Sequence, residues 1–244
     1  MKSIAKRFLL GFIILGLWSC ASSPSGSPQG SIPGPHEDQQ MELGKLEVPQ
    51  EKITVYTGLD VLEKIGFEPL LGKKVGVVTN HTAVSKKGTH LVDLLYANSD
   101  ITIQAIFAPE HGFRGKEQGG DAIPGGVDSN TGAPIYSLYG AQREPNPEML
   151  HGIDILVFDI QDVGTRFYTY ISTMGYVLEA GARYDIPVMI LDRPNPIGRR
   201  INGNVLDEGF ESFVGRYKIP IQYGLSMGEL ARMIVGETMI SGLV

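Results

Sequence analysis

Residues 74–79 read KVGVVT, a short run rich in β-branched residues that stops at Asn80. Three further runs of the same kind follow along the chain: Thr102–Ala108, Asp154–Asp159 and Pro187–Leu191. Each run is apolar through its centre and does not alternate with polar residues. Continuous apolar strands are buried on both faces, which is the arrangement found in parallel sheets. The sequence therefore predicts four central strands of a mostly parallel sheet.

Apolar residues recur at helical spacing between and after these strands. The pattern is found in Gly88–Ala97, in Tyr168–Arg183 and in Ser226–Glu237, and a helix-like stretch, GLDVLEKIGF, starts at Gly58. Strands that alternate with helices predict a doubly wound α/β fold with right-handed crossovers and helices on both faces of the sheet. A further strand is predicted in the sequence IPIQYG, and residues 112–146, rich in glycine and proline, are predicted to form a long loop.

The start of the chain has the features of an export signal. A basic segment precedes an apolar run of eleven residues, Phe8–Trp18, which is too short to span a bilayer as a helix but suits a signal sequence. The run ends just before Cys20, the only cysteine. We therefore expect residues 1–19 to be a lipoprotein signal peptide and Cys20 to be lipidated. The alternatives are an ordinary signal peptide cleaved near Ala21 and an uncleaved anchor.

Composition separates a tether from a globular part. Residues 20–50 are rich in Ser, Pro and Gly and predict a disordered tether, whereas residues 51–244 have the apolar content of a folded domain. The expected location is the cell envelope, with a lipid anchor in the outer membrane if the cell has one. The net charge is −6 and no basic cluster follows the first residues, so nucleic acid is not an expected partner. A lone cysteine also excludes disulfides within the chain and zinc–thiolate sites.

Polar and titratable residues follow all four predicted strands, whereas the opposite strand ends read GKK, SDI, HGI and YDI. The residues after the strands are, in order, Asn80 and His81; Glu110 and His111; Asp159, Gln161, Asp162 and Arg166; and Asp192, Arg193 and Asn195. Ligands of an open parallel sheet bind beyond the carboxyl ends of its strands, so these residues predict a functional site. Some have structural alternatives: Asn80 and Asp162 as helix caps, and Asp192 with Arg193 as an ion pair.

The chemistry of this predicted site is narrowed by motifs that the sequence lacks. It contains neither the GxGxxG nor the GxxxxGK[ST] phosphate-binding pattern, so no nucleotide or other cofactor is expected. It also lacks the GxSxG elbow of serine hydrolases. Carboxylates, imidazoles, amides and guanidiniums remain, and these suit general acid catalysis on an acetal. Glu110 is the candidate acid, since the apolar residues of IFAP and Phe113 surround it in sequence.

A metal-dependent hydrolase is an alternative interpretation of the same residues. Asp159, Asp162, Asp192, His81 and His111 have side chains that ligate divalent ions. No HxH or HExxH spacing supports this alternative, so no metal site is predicted.

Several motifs together resemble the exo-β-N-acetylmuramidase (NamZ/YbbC-like) family. They are TNHT, PEHGFRG, DIQDVGTRFYTY, LDRPNPIG and the pair SFVGRY with IPIQYGLSMGELA, spread over roughly Gly58 to Glu237. The resemblance implies a Rossmann-like N-terminal catalytic domain over residues 51–244 and a smaller C-terminal domain across a cleft. It further implies release of N-acetylmuramic acid from the non-reducing end of peptidoglycan fragments, in cell-wall turnover. The chain ends at Val244, so the family's C-terminal domain is expected to be missing and activity to be impaired.

The resemblance also assigns roles to residues. Glu110, with His111, is implied to be catalytic. The residues implied to bind the substrate are Asn80, His81, Arg114, Asp159, Gln161, Asp162, Arg166, Tyr168, Asp192, Arg193 and Asn195.

The substrate carries a lactyl carboxylate, and Arg166 or Arg193 is our candidate partner for it. The implied partners are saccharides that contain N-acetylmuramic acid, and the membrane through the lipid anchor. A non-catalytic lipoprotein that binds muropeptides is the alternative function.

The mechanism is left open by the sequence. A second catalytic carboxylate would come from Asp159, Asp162 or Asp192, with retention or inversion set by its distance from Glu110. The 2-acetamido group of the substrate is the other candidate nucleophile. The number of chains in the assembly is not predicted.

Overall fold

The structure, a computed structural model, describes residues 54–115, 125–237 and 239. The predicted signal peptide, Cys20 and the tether lie outside these residues and stay predictions. Within the described ranges, no helix is long and apolar enough to cross a membrane.

A six-stranded sheet forms the centre of the domain. Its strands run β3-β4-β2-β1-β5-β6 across the sheet, and all neighbours are parallel except β3, which pairs antiparallel with β4 at one edge. Two short strands, β7 and β8, form a separate antiparallel pair. The strand bounds are β1 Lys74–Thr79, β2 Thr102–Ala108, β3 Gly126–Val127, β4 Pro134–Ser137, β5 Ile155–Asp159, β6 Val188–Ile190, β7 Asn202–Val205 and β8 Pro220–Gln222.

The order of the parallel strands places a crevice beside β1. From β1 the chain moves outward through β2 to β4, then returns to build β5 and β6 on the other side of β1. The connections therefore diverge between the carboxyl ends of β1 and β5, which is where open sheets of this topology bind ligands. Thr79 and Asp159 are paired at this point, and the Thr79 hydroxyl donates to the Asp159 carbonyl at 3.1 Å.

Four α-helices and one 3₁₀ turn accompany the sheet in the part of the chain that the structure describes. They are α1 Gly58–Lys64, the turn Glu68–Leu70, α2 Leu91–Tyr96, α3 Tyr170–Arg183 and α4 Met227–Gly236. Reciprocal capping boxes begin α1 and α4, because Thr57 and Ser226 each exchange hydrogen bonds with an acidic residue three positions later. Helix α2 is shorter than predicted because His90 Nδ1 accepts from the Val92 amide and so fixes the helix start.

Helices cover both faces of the sheet, and each face has its own apolar core. Val77 of β1 packs with residues of α1 and α2, whereas Val78 packs with residues of α3 and α4. Successive strand residues point to opposite faces, which explains why the strands are apolar throughout rather than alternating. The predicted α/β class, Rossmann-like with a mostly parallel sheet, is confirmed.

The predicted long loop was wrong in two parts, since it contains strands β3 and β4. Pro134–Ser137 is β4, which pairs in parallel with β2. All four of its residues are only half-buried, and it begins with a proline that cannot donate to a sheet ladder. A short strand of this kind has no continuous apolar run, which is the signal that revealed the other parallel strands.

Candidate active site

Glu110 lies on a tight turn at the carboxyl end of β2. The Gly112 amide donates to the Pro109 carbonyl at 3.0 Å. His111 and Gly112 both adopt left-handed backbone conformations, with φ of 70° and 72°. Glycine takes this conformation freely, whereas a histidine there is uncommon. The turn therefore places Glu110 at the edge of the sheet where β2 ends.

The Glu110 carboxyl group is held by a hydroxyl from the start of α3. Thr169 Oγ1 donates to Glu110 Oε2 at 2.9 Å. The Tyr139 phenol, just beyond β4, faces the same carboxyl group without a regular hydrogen bond. Burial raises the pKa of the Tyr139 phenol, and the nearby Glu110 carboxylate raises it further. Tyr139 therefore stays protonated at neutral pH and presents a donor to Glu110.

Two more tyrosines, Tyr168 and Tyr170, lie near the Glu110 carboxyl group. The rings of Tyr168 and Tyr170 meet edge to face, with centroids 5.0 Å apart. Tyr170 is buried, and burial raises the pKa of its phenol well above the ordinary value. The charges of Tyr168 and Glu110 act in the same direction, and the Asn80 amide opposes them. Thr169, Tyr139 and Tyr170 thus bring hydroxyl groups close to Glu110.

Asn80 joins this cluster to the end of β1. It is fully buried, and its Oδ1 accepts from the Thr82 amide at 3.0 Å and the Thr82 hydroxyl at 2.6 Å. It therefore forms a side-chain turn and does not cap a helix. Its Nδ2 is buried near the Tyr170 phenol and has no regular hydrogen bond within the described part of the chain.

His90 is a buried histidine that the sequence did not single out. Its Nε2 lies 2.8 Å from the Asn80 carbonyl and its Nδ1 accepts from the Val92 amide. This network assigns the proton to Nε2. Burial lowers the pKa of His90, so it is neutral and positions Asn80. By contrast, His81 is exposed and its ring lies against the backbone of Gly115.

Asp159 and Arg193 form a buried ion pair at the crevice between β1 and β5. Arg193 Nε and Nη2 contact the two carboxylate oxygens of Asp159 at 2.5 and 3.1 Å. Burial raises the pKa of Asp159, and the guanidinium opposes that rise. Arg193 also donates to the Val84 carbonyl at 3.3 Å. Its guanidinium is thus engaged by protein groups, and its partner is not the adjacent Asp192.

Asp162 and Arg166 fasten the segment after β5 to the β7–β8 pair. Asp162 Oδ2 accepts from the Gly164 amide at 2.7 Å and from the Tyr223 phenol. Burial raises the pKa of this carboxyl group. Arg166 is buried and donates to backbone carbonyls, including that of Asn204 at 2.7 Å. Asp162 therefore does not cap a helix, and the helix predicted from Tyr168 begins at Tyr170.

The remaining predicted residues join loops at the same edge. Asp192 accepts from the Ser226 hydroxyl at 2.9 Å and the Gly228 amide at 2.7 Å, at the start of α4. Asn195 Nδ2 donates to the Leu225 carbonyl at 3.1 Å. Gln161 Nε2 donates to the Pro194 carbonyl at 3.0 Å.

Arg114 pairs with two acids other than Glu110. It forms ion pairs with Asp93 at 3.3 Å and Asp128 at 3.5 Å, and its guanidinium lies 4.2 Å from the centre of the Phe113 ring. We interpret it as a support of the turn that carries Glu110.

The structure thus divides the predicted residues into two groups. Glu110, Asn80 and Tyr168 come together with three residues that sequence reasoning missed: Tyr139, Thr169 and Tyr170. The motif FYTY contains two of the missed residues beside Tyr168, and the third follows the unpredicted strand β4. The other predicted residues, apart from His81 and His111, hold loops and strand ends in place.

Two geometric facts bear on the alternatives. Among the described residues, no three His, Cys, Asp or Glu side chains converge as a metal site would require. A pocket of about 750 Å³ lies between α1 and the loops after β6, and Glu110 is not among the residues that line it. It is largely apolar at α1, where Val61 and Ile65 line it.

Comparison with known proteins identifies the family. The model of the N-terminal part of the exo-β-N-acetylmuramidase NamZ matches residues 75–243. The chain belongs to the NamZ family. The matched range contains β1 from its second residue through α4, and so includes Glu110 and every residue that surrounds it.

Comparison with individual relatives supports the same family membership. It is 44% identical over 238 residues to the peptidoglycan β-N-acetylmuramidase NamZ of Bacillus subtilis (strain 168), which covers 97% of this chain and 53% of that protein. Two crystal structures of DUF1343 family proteins from Bacteroides fragilis NCTC 9343 are similar. One has 48% identity and a TM-score of 0.72, covering 77% of this chain and 47% of the other. The second has 41% identity and a TM-score of 0.67, covering 78% and 49%. The chain spans about half the length of these relatives.

Proposed function

We propose that this chain is the glutamate-bearing domain of a glycoside hydrolase that releases N-acetylmuramic acid from the non-reducing end of peptidoglycan fragments. The observation that carries the proposal is the position of Glu110, which is held by Thr169 at the ligand-binding edge of a Rossmann-like sheet. The B. subtilis relative is named for β-N-acetylmuramidase activity on peptidoglycan, which supports the same substrate class here.

Glu110 is the proposed general acid. Cleavage of a glycosidic bond requires a proton on the leaving oxygen as the bond breaks. A hydroxyl group both donates to a carboxylate and accepts from a carboxylic acid. Thr169 therefore orients Glu110 before and after proton transfer, and leaves Oε1 to face the substrate.

We infer that the 2-acetamido group of the substrate is the nucleophile. Asp159 is bound bidentately by Arg193, Asp162 is buried against Tyr223, and Asp192 caps α4. None of these carboxylates has an open side chain suited to attack, which favours assistance by the substrate over a second carboxylate. Replacing the acetamido group by its trifluoroacetamido analogue should then lower kcat strongly. An unchanged kcat would contradict this mechanism.

The envelope location remains part of the proposal and rests on the N-terminal sequence alone. We expect the chain to be lipid-anchored through Cys20 and to meet its substrate in the cell envelope. Metabolic labelling with a radioactive fatty acid should mark the wild-type chain and not Cys20→Ala. Equal labelling of both would contradict the anchor.

The test of the hydrolase proposal is release of 4-nitrophenol from its N-acetyl-β-muramide by the full chain. The wild type should release it, and Glu110→Gln should lose nearly all activity. Glu68→Gln makes the same chemical change at an exposed position on the 3₁₀ turn and should leave activity unchanged.

Two other outcomes would contradict parts of the hydrolase proposal. Release that survives in Glu110→Gln would contradict the assignment of the acid. Binding of N-acetylmuramic acid without release by the wild type would favour the non-catalytic, muropeptide-binding alternative.

A further inference from the structure

A groove lined by an arginine and aromatic rings borders the Glu110 site. It is about 520 Å³ in volume and is lined by Tyr139, Gly140, Arg143, Ser212, Phe213 and Val214. We call it the Phe213 groove. Tyr139 faces the groove and also faces Glu110, so the groove begins where the proposed acid lies.

The floor of the groove is aromatic. The rings of Tyr139 and Phe213 have centroids 6.2 Å apart, and Phe213 stacks on Tyr176 with centroids 6.3 Å apart and a 29° interplanar angle. The Ser172 hydroxyl of α3 donates to the Phe213 carbonyl at 2.7 Å, which fixes this loop to the helix. A pyranose ring has apolar C–H faces that pack well on such a surface.

Arg143 stands over this floor with unused hydrogen-bonding capacity. Its guanidinium lies 4.4 Å from the centre of the Phe213 ring, and its Nε donates to the Gly140 carbonyl at 3.2 Å. Within the described ranges, no carboxylate forms an ion pair with it, whereas Arg216 in the adjoining pocket is paired with Glu179 at 2.6 Å. Among the described residues, the two terminal nitrogens of Arg143 have no hydrogen-bond acceptor, and Arg143 is exposed, so it can receive an anion.

We propose that Arg143 binds the lactyl carboxylate of the N-acetylmuramic acid residue whose bond is cut, while its sugar ring packs on Phe213. The inference rests on the proposed function and names the group that recognises its substrate. It replaces the earlier candidates, because Arg166 and Arg193 are buried and engaged by protein groups.

The lactyl group is what distinguishes a muramyl from a glucosaminyl sugar, so Arg143 sets the preference between them. A guanidinium matches a carboxylate through two parallel hydrogen bonds. When the lactyl group is joined to a stem peptide, this carboxylate becomes an amide and loses its charge. The chain should therefore prefer peptide-free N-acetylmuramic acid.

The experiment compares kcat/KM for the 4-nitrophenyl muramide and the corresponding N-acetylglucosaminide. Arg143→Met should lower the value for the muramide about tenfold, the effect of one charge-assisted contact. It should leave the value for the glucosaminide unchanged. Arg199→Met, at an exposed arginine beside the pocket at α1, is the matched control and should change neither. Equal losses on both substrates, or no loss on the muramide, would overturn the inference.

A binding measurement separates this inference from the proposed function. If the wild type hydrolyses neither substrate, the hydrolase proposal fails, and calorimetric titration with the free sugars decides the role of Arg143. The wild type should bind N-acetylmuramic acid more tightly than N-acetylglucosamine or N-acetylmuramyl-L-alanine, and Arg143→Met should lose that difference. No preference in the wild type, or a preference that survives in Arg143→Met, would overturn the inference.

Discussion

Thr169→Val tests how the site positions its acid. The Thr169 hydroxyl makes the one regular hydrogen bond to the Glu110 carboxyl group in the part of the chain that the structure describes. Although Thr169 is the N-cap residue of α3, its side chain makes no capping hydrogen bond. Valine has nearly the same shape, so the substitution removes the contact with Glu110 and leaves the start of the helix intact.

The magnitude follows from the kind of bond that is lost. A hydrogen bond to a charged group contributes about 1.5–3 kcal/mol. Glu110 is only half-buried, so the lower value applies. About 1.5 kcal/mol corresponds to roughly a tenfold fall in kcat. KM should change little, since Thr169 contacts Glu110 and not the sugar. The free energy of unfolding should fall by no more than about 1.5 kcal/mol, because the half-buried Glu110 carboxyl group can turn toward solvent.

The assay is hydrolysis of the 4-nitrophenyl muramide over a range of pH, with urea unfolding measured in parallel. Thr169→Ser keeps the hydroxyl and should restore most of the lost kcat. If Thr169→Val retained full kcat, or if Thr169→Ser lost as much as Thr169→Val, the positioning role of this hydroxyl would be refuted.

Two further predictions concern stability. Arg193→Met leaves the buried Asp159 carboxylate without its partner and should lower the free energy of unfolding by about 3–5 kcal/mol; Asp159→Asn in the same chain should recover part of this loss, and urea titration of both variants checks it. Burial lowers the pKa of His90 below its ordinary value of 6.5. The unfolded chain therefore binds a proton that the folded chain does not, and stability should fall as pH drops through 6.5. Urea unfolding at pH 7.5 and 5.5 should show a smaller fall in the free energy of unfolding for His90→Gln than for the wild type. An equal fall in both would contradict the assignment of this pH dependence to His90.

The sequence predicted the centre of the sheet nearly to the residue. Lys74–Thr79 and Thr102–Ala108 are strands with the predicted bounds, and the other two central strands differ by one residue at an end or at both. Strands β1 and β5 are buried almost throughout, so their apolar character is continuous and easily recognised. Strand β4 is half-buried and was missed, and with it Tyr139, which follows β4 and faces Glu110.

The edge of the sheet that carries the site was also predictable, but the partners of its residues were not. Asp159 and Arg193 are 34 residues apart, and Arg166 reaches carbonyls 38 and 53 residues further along the chain. Such pairings depend on how the crossovers return to the sheet. These long-range pairings leave no local pattern in the sequence. A charged residue that binds substrate therefore cannot be distinguished in sequence from one that holds a loop.

The proposed role of Glu110 as an acid explains why hydroxyl groups, and not a guanidinium, contact its carboxyl group. A guanidinium bound to a carboxylate favours the ionised form, as Arg193 does for Asp159. The same contact on Glu110 would oppose its protonation and so its use as an acid. Thr169 and Tyr139 orient the carboxyl group as neutral donors instead. The buried Arg166 and Arg193 are engaged by protein groups. Arg143 shares a groove with Tyr139, and we propose that its charge meets the substrate rather than the acid.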